Sequence, residues 1–233
     1  MQGNRTKKGL RGFRKTRCYR IVYDEAGRWG KVNVFNDYAY YYNAFYRDKD
    51  YKAEAEQVMG LLEKYGRNIR SLMNFGCGTG RHDLEFGKRG YRCFGIDSSS
   101  LMIKIANENA KNGGMDVAFS VADIRDFTSP QKYDAVISLF HVISYQNRNE
   151  DVLAAFRSAR RALDRGGVFL FDAWYGPGVL SDKPEVRVKE IEDADNRLVR
   201  IARPLMHDEQ NVVDVGYEVL VMNKKTGITE TIR

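Results

Sequence analysis

Cysteine and histidine are scarce in this 233-residue chain, with three of each. Cys18, Cys77 and Cys93 form no C-x-x-C and leave an odd count, which argues against a disulfide framework and for reduced thiols in a cytoplasmic protein. The three histidines and the scattered acids show no metal-ligand spacing, so no metal is expected. No run approaches the ~20 apolar residues needed to cross a bilayer, and the first residues lack the apolar core of a secretory signal. The expectation is a chain with no membrane partner. A G-x-S-x-G elbow and a Cys–His pairing pattern are also missing, which speaks against nucleophilic catalysis. There is no internal repeat and no low-complexity stretch.

Acids are absent from the first twenty residues, where Arg5, Lys7, Lys8, Arg11, Arg14, Lys15, Arg17 and Arg20 stand. The net charge of +7 therefore belongs to this tail, and the remainder of the chain carries about −1. A basic tail neutralises phosphates and strengthens nucleic-acid binding. It reads as a solvated extension, as a product of where translation was assumed to start, or as an arm for RNA. Short alternating runs at 19–23 and 31–35 then fit a hairpin.

What is present is concentrated in Ser71-Leu72-Met73-Asn74-Phe75-Gly76-Cys77-Gly78-Thr79-Gly80-Arg81-His82. An apolar run of strand length empties into three glycines at alternate positions, and a helix-like segment follows. Glycine allows positive φ and a close approach of ligand to backbone. A helix N-terminus behind such a turn offers free N–H groups and a positive dipole end. The dinucleotide pattern G-x-G-x-x-G fails, because Arg81 or Asp83 stands where its last glycine belongs. Walker A fails as well, for want of Gly-Lys-Ser/Thr. G-x-G-x-G is left.

Further apolar runs follow in a regular beat. Tyr91 to Ile96 ends in Asp97, 17 residues after Gly80; Val117 to Val121 ends in Ala122-Asp123-Ile124; Tyr133 to Phe140 and Leu163 to Phe171 complete the set. Helical patterns lie between them: Asp50 to Lys64, Arg81 to Arg89, the segment after Ser98-Ser99-Ser100, and Asn149 or Glu150 to Leu163. Strands alternating with helices predict right-handed crossovers and a parallel sheet.

Over roughly residues 36–175 these elements resemble the class I S-adenosylmethionine-dependent methyltransferases, most of all those acting on nucleotide-linked amino sugars. The resemblance implies an α/β fold: a Rossmann-like open parallel sheet of order 3-2-1-4-5 with helices on both faces. It implies S-adenosylmethionine as cofactor. Gly76, Gly78 and Gly80 would lie against its methionine portion and Asp97 would accept the ribose hydroxyls. Asp123 and Ile124 would meet the adenine, and Leu139 would line the floor. Asn74 stands where the family usually has Asp or Glu; an amide still bonds the donor's amino group but gives up a charge. In the aromatic segment 36–46, Tyr38, Tyr42, Phe45 and Tyr46 share a helical face. This is either a helix packed on the core or a lid over the sulfonium, for which Tyr42 and Tyr46 are the candidates. His141, directly after the fourth strand, is the candidate base, with a structural histidine as the alternative. Asp172 and Trp174 end the fifth strand at the same rim, for acceptor orientation, stacking or packing. His82 receives no catalytic role, and His207 reads as solvated.

After Tyr175 the pattern changes. Gly176-Pro177-Gly178 reads as a break, and runs at 186–191, 198–202, 212–222 and 228–232 predict an antiparallel meander. The division is 1–35 tail and hairpin, 36–175 donor-binding core with its lid, and 176–233 a β element for the acceptor or for a homodimer contact. Sugar-modifying relatives continue with a helix and two further core strands, whereas this sequence stops at Arg233, so either the sheet is short at one edge or the sequence is truncated. The expected function is methylation of an amine or hydroxyl on a small-molecule acceptor. Two alternatives stay open: an RNA methyltransferase using the tail, disfavoured because no Asn/Asp-Pro-Pro-Tyr follows the fourth strand, and a non-catalytic donor-binding or assembly protein.

Overall fold

The computed structural model describes residues 41–111 and 114–232. The tail, the hairpin at 19–35, Cys18 and Tyr38 lie outside them. Five parallel strands form one sheet in the order β3-β2-β1-β4-β5. They are β1 Ser71–Phe75, β2 Arg92–Asp97, β3 Val117–Val121, β4 Tyr133–Ser138 and β5 Leu163–Phe171. The helices are α1 Tyr51–Tyr65, α2 Arg81–Gly87, α3 Ser100–Ala110 and α4 Asn149–Ala162. The expected sheet order is therefore the observed one.

Strand β1 is buried along its whole length, as a central strand covered on both faces must be. Its alternation sends Met73 and Phe75 into one core with Ile96, Val136 and the alanine stripe of α4, Ala155, Ala159 and Ala162. Leu72 goes to the opposite face, where Ala55, Val58 and Leu62 of α1 meet Phe86 of α2. Asp50 starts α1 as expected, its carboxylate accepting from Ala53 N at 2.9 Å. Ser99 caps α3 by accepting from Met102 N. Asp134 ties the starts of β1 and β4 together by accepting from Arg70 N, Ser71 N and Ser71 Oγ.

Beyond β5, Gly176-Pro177-Gly178 does not break the chain but opens a short helix, α5 Gly176–Ser181. Proline in the first turn removes an N–H that has no helical partner anyway, so it starts a helix as readily as it ends one. A second, antiparallel sheet follows in the order β6-β7-β8-β9. Its strands are β6 Arg187–Glu192, β7 Asn196–His207, β8 Val212–Asn223 and β9 Thr229–Ile232. Strand β7 runs past the predicted end at Ala202 and through Pro204. Pairing with β6 stops at Ala202, so Pro204 stands at an edge position with a strand neighbour only on the β8 side, where proline is tolerated.

The helical residues 41–45 join the two sheets. Phe45 is fully buried among Ile191, Leu198, Val219 and Val221 of the antiparallel sheet. Lys189 Nζ donates to Phe45 O, and Arg47 Nη1 donates to Glu192 O at 2.9 Å.

Candidate functional site

The C-terminal tips of the parallel strands open onto a cleft of about 920 Å3 whose far wall is built by the antiparallel sheet. In open α/β sheets this edge is where ligands bind. Tyr42, Tyr46, Asn74, Gly76, Gly78, Asp97, Asp123, Ile124, Leu139 and His141 all line it. Gly80 does not; it takes φ +74° as the N-cap of α2 and faces Phe119 and Ala106.

Two of the glycines have structural reasons to be glycine. Gly76 adopts φ +73°, and a Cβ there would stand 2.5 Å from Val142 Cγ2. Gly78 adopts φ +55° with nothing within 4 Å of the Cβ position, so it presents bare backbone to the cleft. The turn is held from below, where Gly76 N and Cys77 N both donate to Ile96 O at 2.8 and 2.9 Å. It is held from the side by Asp97, whose Oδ2 accepts from Gly78 N at 3.0 Å and Oδ1 from Ser99 N at 2.9 Å. Burial pushes the Asp97 carboxyl above its ordinary range, and those two N–H groups oppose the shift. Each oxygen spends one acceptor site on the backbone and retains another.

Asp123, at the tip of β3, is arranged differently. Burial would raise its carboxyl, but Arg125 overrides this and the net shift is downward. Arg125 Nη2 lies 2.5 Å from Asp123 Oδ2, and Nε reaches both oxygens at 3.0 Å. Ile124 beside it is 6% exposed and belongs as much to the core under β2 as to the cleft wall. These residues form an apolar shelf edged by a neutralised acid.

At the tip of β4 the chain leaves the sheet earlier than its apolar run suggests. The strand ends at Ser138, and Phe140 and His141 take φ of +65° and +64°. Left-handed backbone is uncommon for bulky residues and marks a constrained turn. Asp172 fixes it: Oδ1 accepts from His141 N at 2.9 Å, and Oδ2 stands 3.1 Å from His141 Nδ1, close but not aligned as a hydrogen bond. Asp172 thus orients the histidine, a role the sequence does not reveal. Trp174 packs edge-on against the His141 ring at 6.2 Å, and its backbone N–H donates to Ser144 Oγ at 3.0 Å.

The aromatic segment has a packed side and a side that lines the cleft. Its buried side, Phe45, packs on the antiparallel sheet, while Tyr42 and Tyr46 face the cleft with ring centroids 4.6 Å apart. Tyr46 meets Phe140 edge-on at 5.3 Å, and its hydroxyl accepts from Arg200 Nη1 at 3.2 Å.

Several residues of the cleft carry no obvious sequence signal. Lys49 Nζ sits 3.5 Å over the Phe140 ring and 3.1 Å from Glu54. Glu54 also meets His82 Nε2 at 2.7 Å, so His82 is a buried, partnered histidine whose pKa burial lowers. Arg200 lies against the rings of Phe45, Tyr46 and Tyr217 at 5.2–5.6 Å. The sequence predicts the meander that builds this wall but does not single out Arg200 within it. His207, expected to be solvated, is instead half-buried and lies 2.9 Å from Asp214 across β7 and β8. Cys77 and Cys93 are free and buried, and desolvation raises both thiols. Among the described residues no helix is long and apolar enough to cross a membrane.

The site fits an adenosyl donor on its own chemistry: a bare glycine backbone, an acid at the next strand tip with acceptor capacity to spare, and an apolar shelf beyond. Comparison with known proteins agrees. Residues 72–167 match the methyltransferase domain family. The chain is 32% identical over 148 residues to the dTDP-3-amino-3,4,6-trideoxy-alpha-D-glucopyranose N,N-dimethyltransferase of Streptomyces venezuelae, covering 63% of this chain and 61% of that relative. The chain thus spans about three-fifths of the length of this curated relative. The crystal structure of Streptomyces venezuelae DesVI superposes with a TM-score of 0.72 at 25% identity, over 84% of this chain and 82% of that one. The sugar N-methyltransferase KedS8 from Streptoalloteichus gives 0.70 at 25% identity, over 96% and 83%. The strand order, the glycine turn and these matches agree: residues 72–167 match a methyltransferase domain, and the fold is similar to that of the two sugar-modifying neighbours.

Proposed function

We propose that the chain transfers a methyl group from S-adenosylmethionine to an amine nitrogen of a small acceptor, of the nucleotide-linked amino-sugar class. The observation that carries the reading is the meeting of two kinds of site in one cleft: the Asp97-braced glycine turn on one side and the His141–Asp172 pair on the other.

When bound, the sulfonium supplies an electrophilic methyl carbon whose bond electrons return to sulfur. The chain's own work is alignment, exclusion of water and handling of one proton. Gly76 and Gly78 give the amino-acid end a backbone surface, and Asp97 holds the ribose hydroxyls on its spare acceptor sites. Tyr42 and Tyr46 lay aromatic faces along the cleft, where a cation is stabilised by ~0.5–2 kcal/mol. An amine attacks through its neutral lone pair, so a proton must leave the nitrogen before or after transfer. His141 is placed to take it. Asp172 occupies the Nδ1 side and favours a proton there, which leaves Nε2 as the acceptor.

Lys183, Arg187 and Arg200 on the far wall support a nucleotide-linked acceptor, since an anionic diphosphate would meet guanidinium and ammonium groups there. Asp182 and Glu185 beside them leave that wall mixed rather than uniformly basic. The relatives' names, an amino-sugar N,N-dimethyltransferase and a sugar N-methyltransferase, favour nitrogen over oxygen. The basic tail that motivates an RNA acceptor lies outside the described residues, and the cleft itself offers no matching bias.

The test is turnover. The full chain, incubated with S-adenosylmethionine and a nucleoside-diphosphate amino sugar, is expected to give the N-methylated product by mass spectrometry. Methylation of the des-amino sugar, or of RNA in its place, would overturn the acceptor class.

A further inference from the structure

Asn74 and Asp83 lie beneath the glycine turn, one on β1 and the other in the first turn of α2. Both are buried, at 2% and 0% exposure. Asn74 Nδ2 donates to Asp83 Oδ2 at 2.8 Å. Asn74 Oδ1 and Asp83 Oδ1 are buried and accept from nothing. Asn74 lines the cleft, and with its nitrogen committed to Asp83 the unpartnered Oδ1 is its free end.

Among the described residues no salt bridge reaches Asp83. The titratable groups facing it are Cys77 of the glycine turn and Cys93 of β2, thiols kept neutral by burial. His82, next in the chain, turns to Glu54 instead. A buried carboxylate without a counter-charge is costly. Burial pushes the Asp83 carboxyl up to about 7, against the opposing hydrogen bonds from Asn74 and from its own backbone. Packing alone gives no reason for an acid here, because an amide or an apolar residue would fill the space at less cost. One hydrogen bond away is the wall of a ligand cleft.

We propose that Asp83 is a positioning residue for the ammonium group of the methyl donor, acting through the Asn74 amide. Asn74 Oδ1 accepts from the ammonium, and Asp83 holds the amide in that orientation. It also supplies from behind the negative charge that an amide lacks. A carboxylate on the helix thereby takes over from one on the strand. This rests on the reading of the cleft as the donor site, and the test separates the two.

Calorimetric titration uses two probes, S-adenosylhomocysteine and its deaminated analogue in which hydrogen replaces the amino group. Asp83→Asn is expected to weaken S-adenosylhomocysteine about tenfold or more, as loss of a charge-assisted contact should, and to leave the analogue within about twofold. Adding Asn74→Asp to Asp83→Asn is expected to restore the first affinity, because the charge returns to the strand. Equal weakening of both probes, or of neither, overturns the proposal while leaving the donor site intact. Failure of the wild-type chain to bind either probe overturns the donor site itself. If Asp83→Asn does not fold, the wild-type chain answers alone. Between about pH 7.5 and 6 its affinity for S-adenosylhomocysteine should fall relative to the analogue as the buried carboxyl gains its proton. Parallel profiles for the two probes overturn the proposal.

Discussion

In the antiparallel sheet, opposite charges meet at the surface. Arg197 Nε lies 2.5 Å from Glu190, Arg203 Nη2 3.3 Å from Glu218 and Lys224 Nζ 2.7 Å from Glu192. All but Glu218 have more than a third of their side chain exposed. At the tips of the parallel sheet two acids have no cation partner among the described residues: Asp97 of β2, held on two backbone N–H groups, and Asp83 of α2, held on the Asn74 amide. Burial raises both carboxyls, whereas pairing with Lys224 lowers Glu192. Charge at the second sheet is solvated and close to neutral in its effect on stability. Charge beneath the strand tips costs stability and is useful only when something enters the cleft. The strand tips of the first sheet floor the cleft, and the second sheet closes its far wall.

Variants at the two sheets sharpen or break that contrast. His141→Ala should have the largest effect, lowering turnover by about 10²–10⁴, the usual share of a proton-transfer group, with affinity for S-adenosylhomocysteine unchanged. Steady-state kinetics beside calorimetry would check it, and an equal loss in both would make His141 a binding residue. Phe45→Ala should cost about 3–5 kcal/mol by denaturant melting, because a fully buried ring at the seam with the second sheet leaves a cavity. A loss below about 1 kcal/mol would mean that this wall is not packed as described.

Asp83→Asn tests the cost of buried charge through pH. The folded carboxyl titrates near 7, above its ordinary 3.8. Between those values the folded chain holds a proton that the unfolded chain has released, so this group's contribution to stability falls as pH rises from about 4 to about 7. The variant removes that cost. Its melting temperature should exceed the wild type's by more at pH 8 than at pH 5, and a constant difference would contradict the assignment. The smallest effect belongs to the second sheet. Glu190→Gln should change stability by less than about 1 kcal/mol, an exposed pair being worth little.

The parallel sheet was legible because its strands are nearly continuous apolar runs, each emptying into a turn, and their order followed from a known family. Gly76, Gly78 and Asp97 were legible because the spacing of a phosphate- or nucleoside-binding turn is local in sequence. What was not legible depends on partners far along the chain. Asp172 belongs to His141 across 31 residues. Arg200 finds Tyr46 across 154 residues. Asp83 looks like an ordinary helical acid until α2 is docked and turns it inward. The early end of β4 was hidden because Leu139 and Phe140 continue the apolar run, while the turn that follows is fixed by Asp172 on another strand. Helix α5 was missed for a local reason, since proline and glycine read as a break whether they end a helix or begin one.

The central claim is that the tips of β1 and β2 together hold an adenosyl group. Calorimetry with S-adenosylhomocysteine, comparing the wild-type chain with Asp97→Ala, tests it most directly. The account predicts micromolar binding by the former and a loss of about tenfold to a hundredfold in the latter, the worth of hydrogen bonds to a charged group. Equal affinities would contradict it, since the ribose would then have to be held somewhere other than the tip of β2.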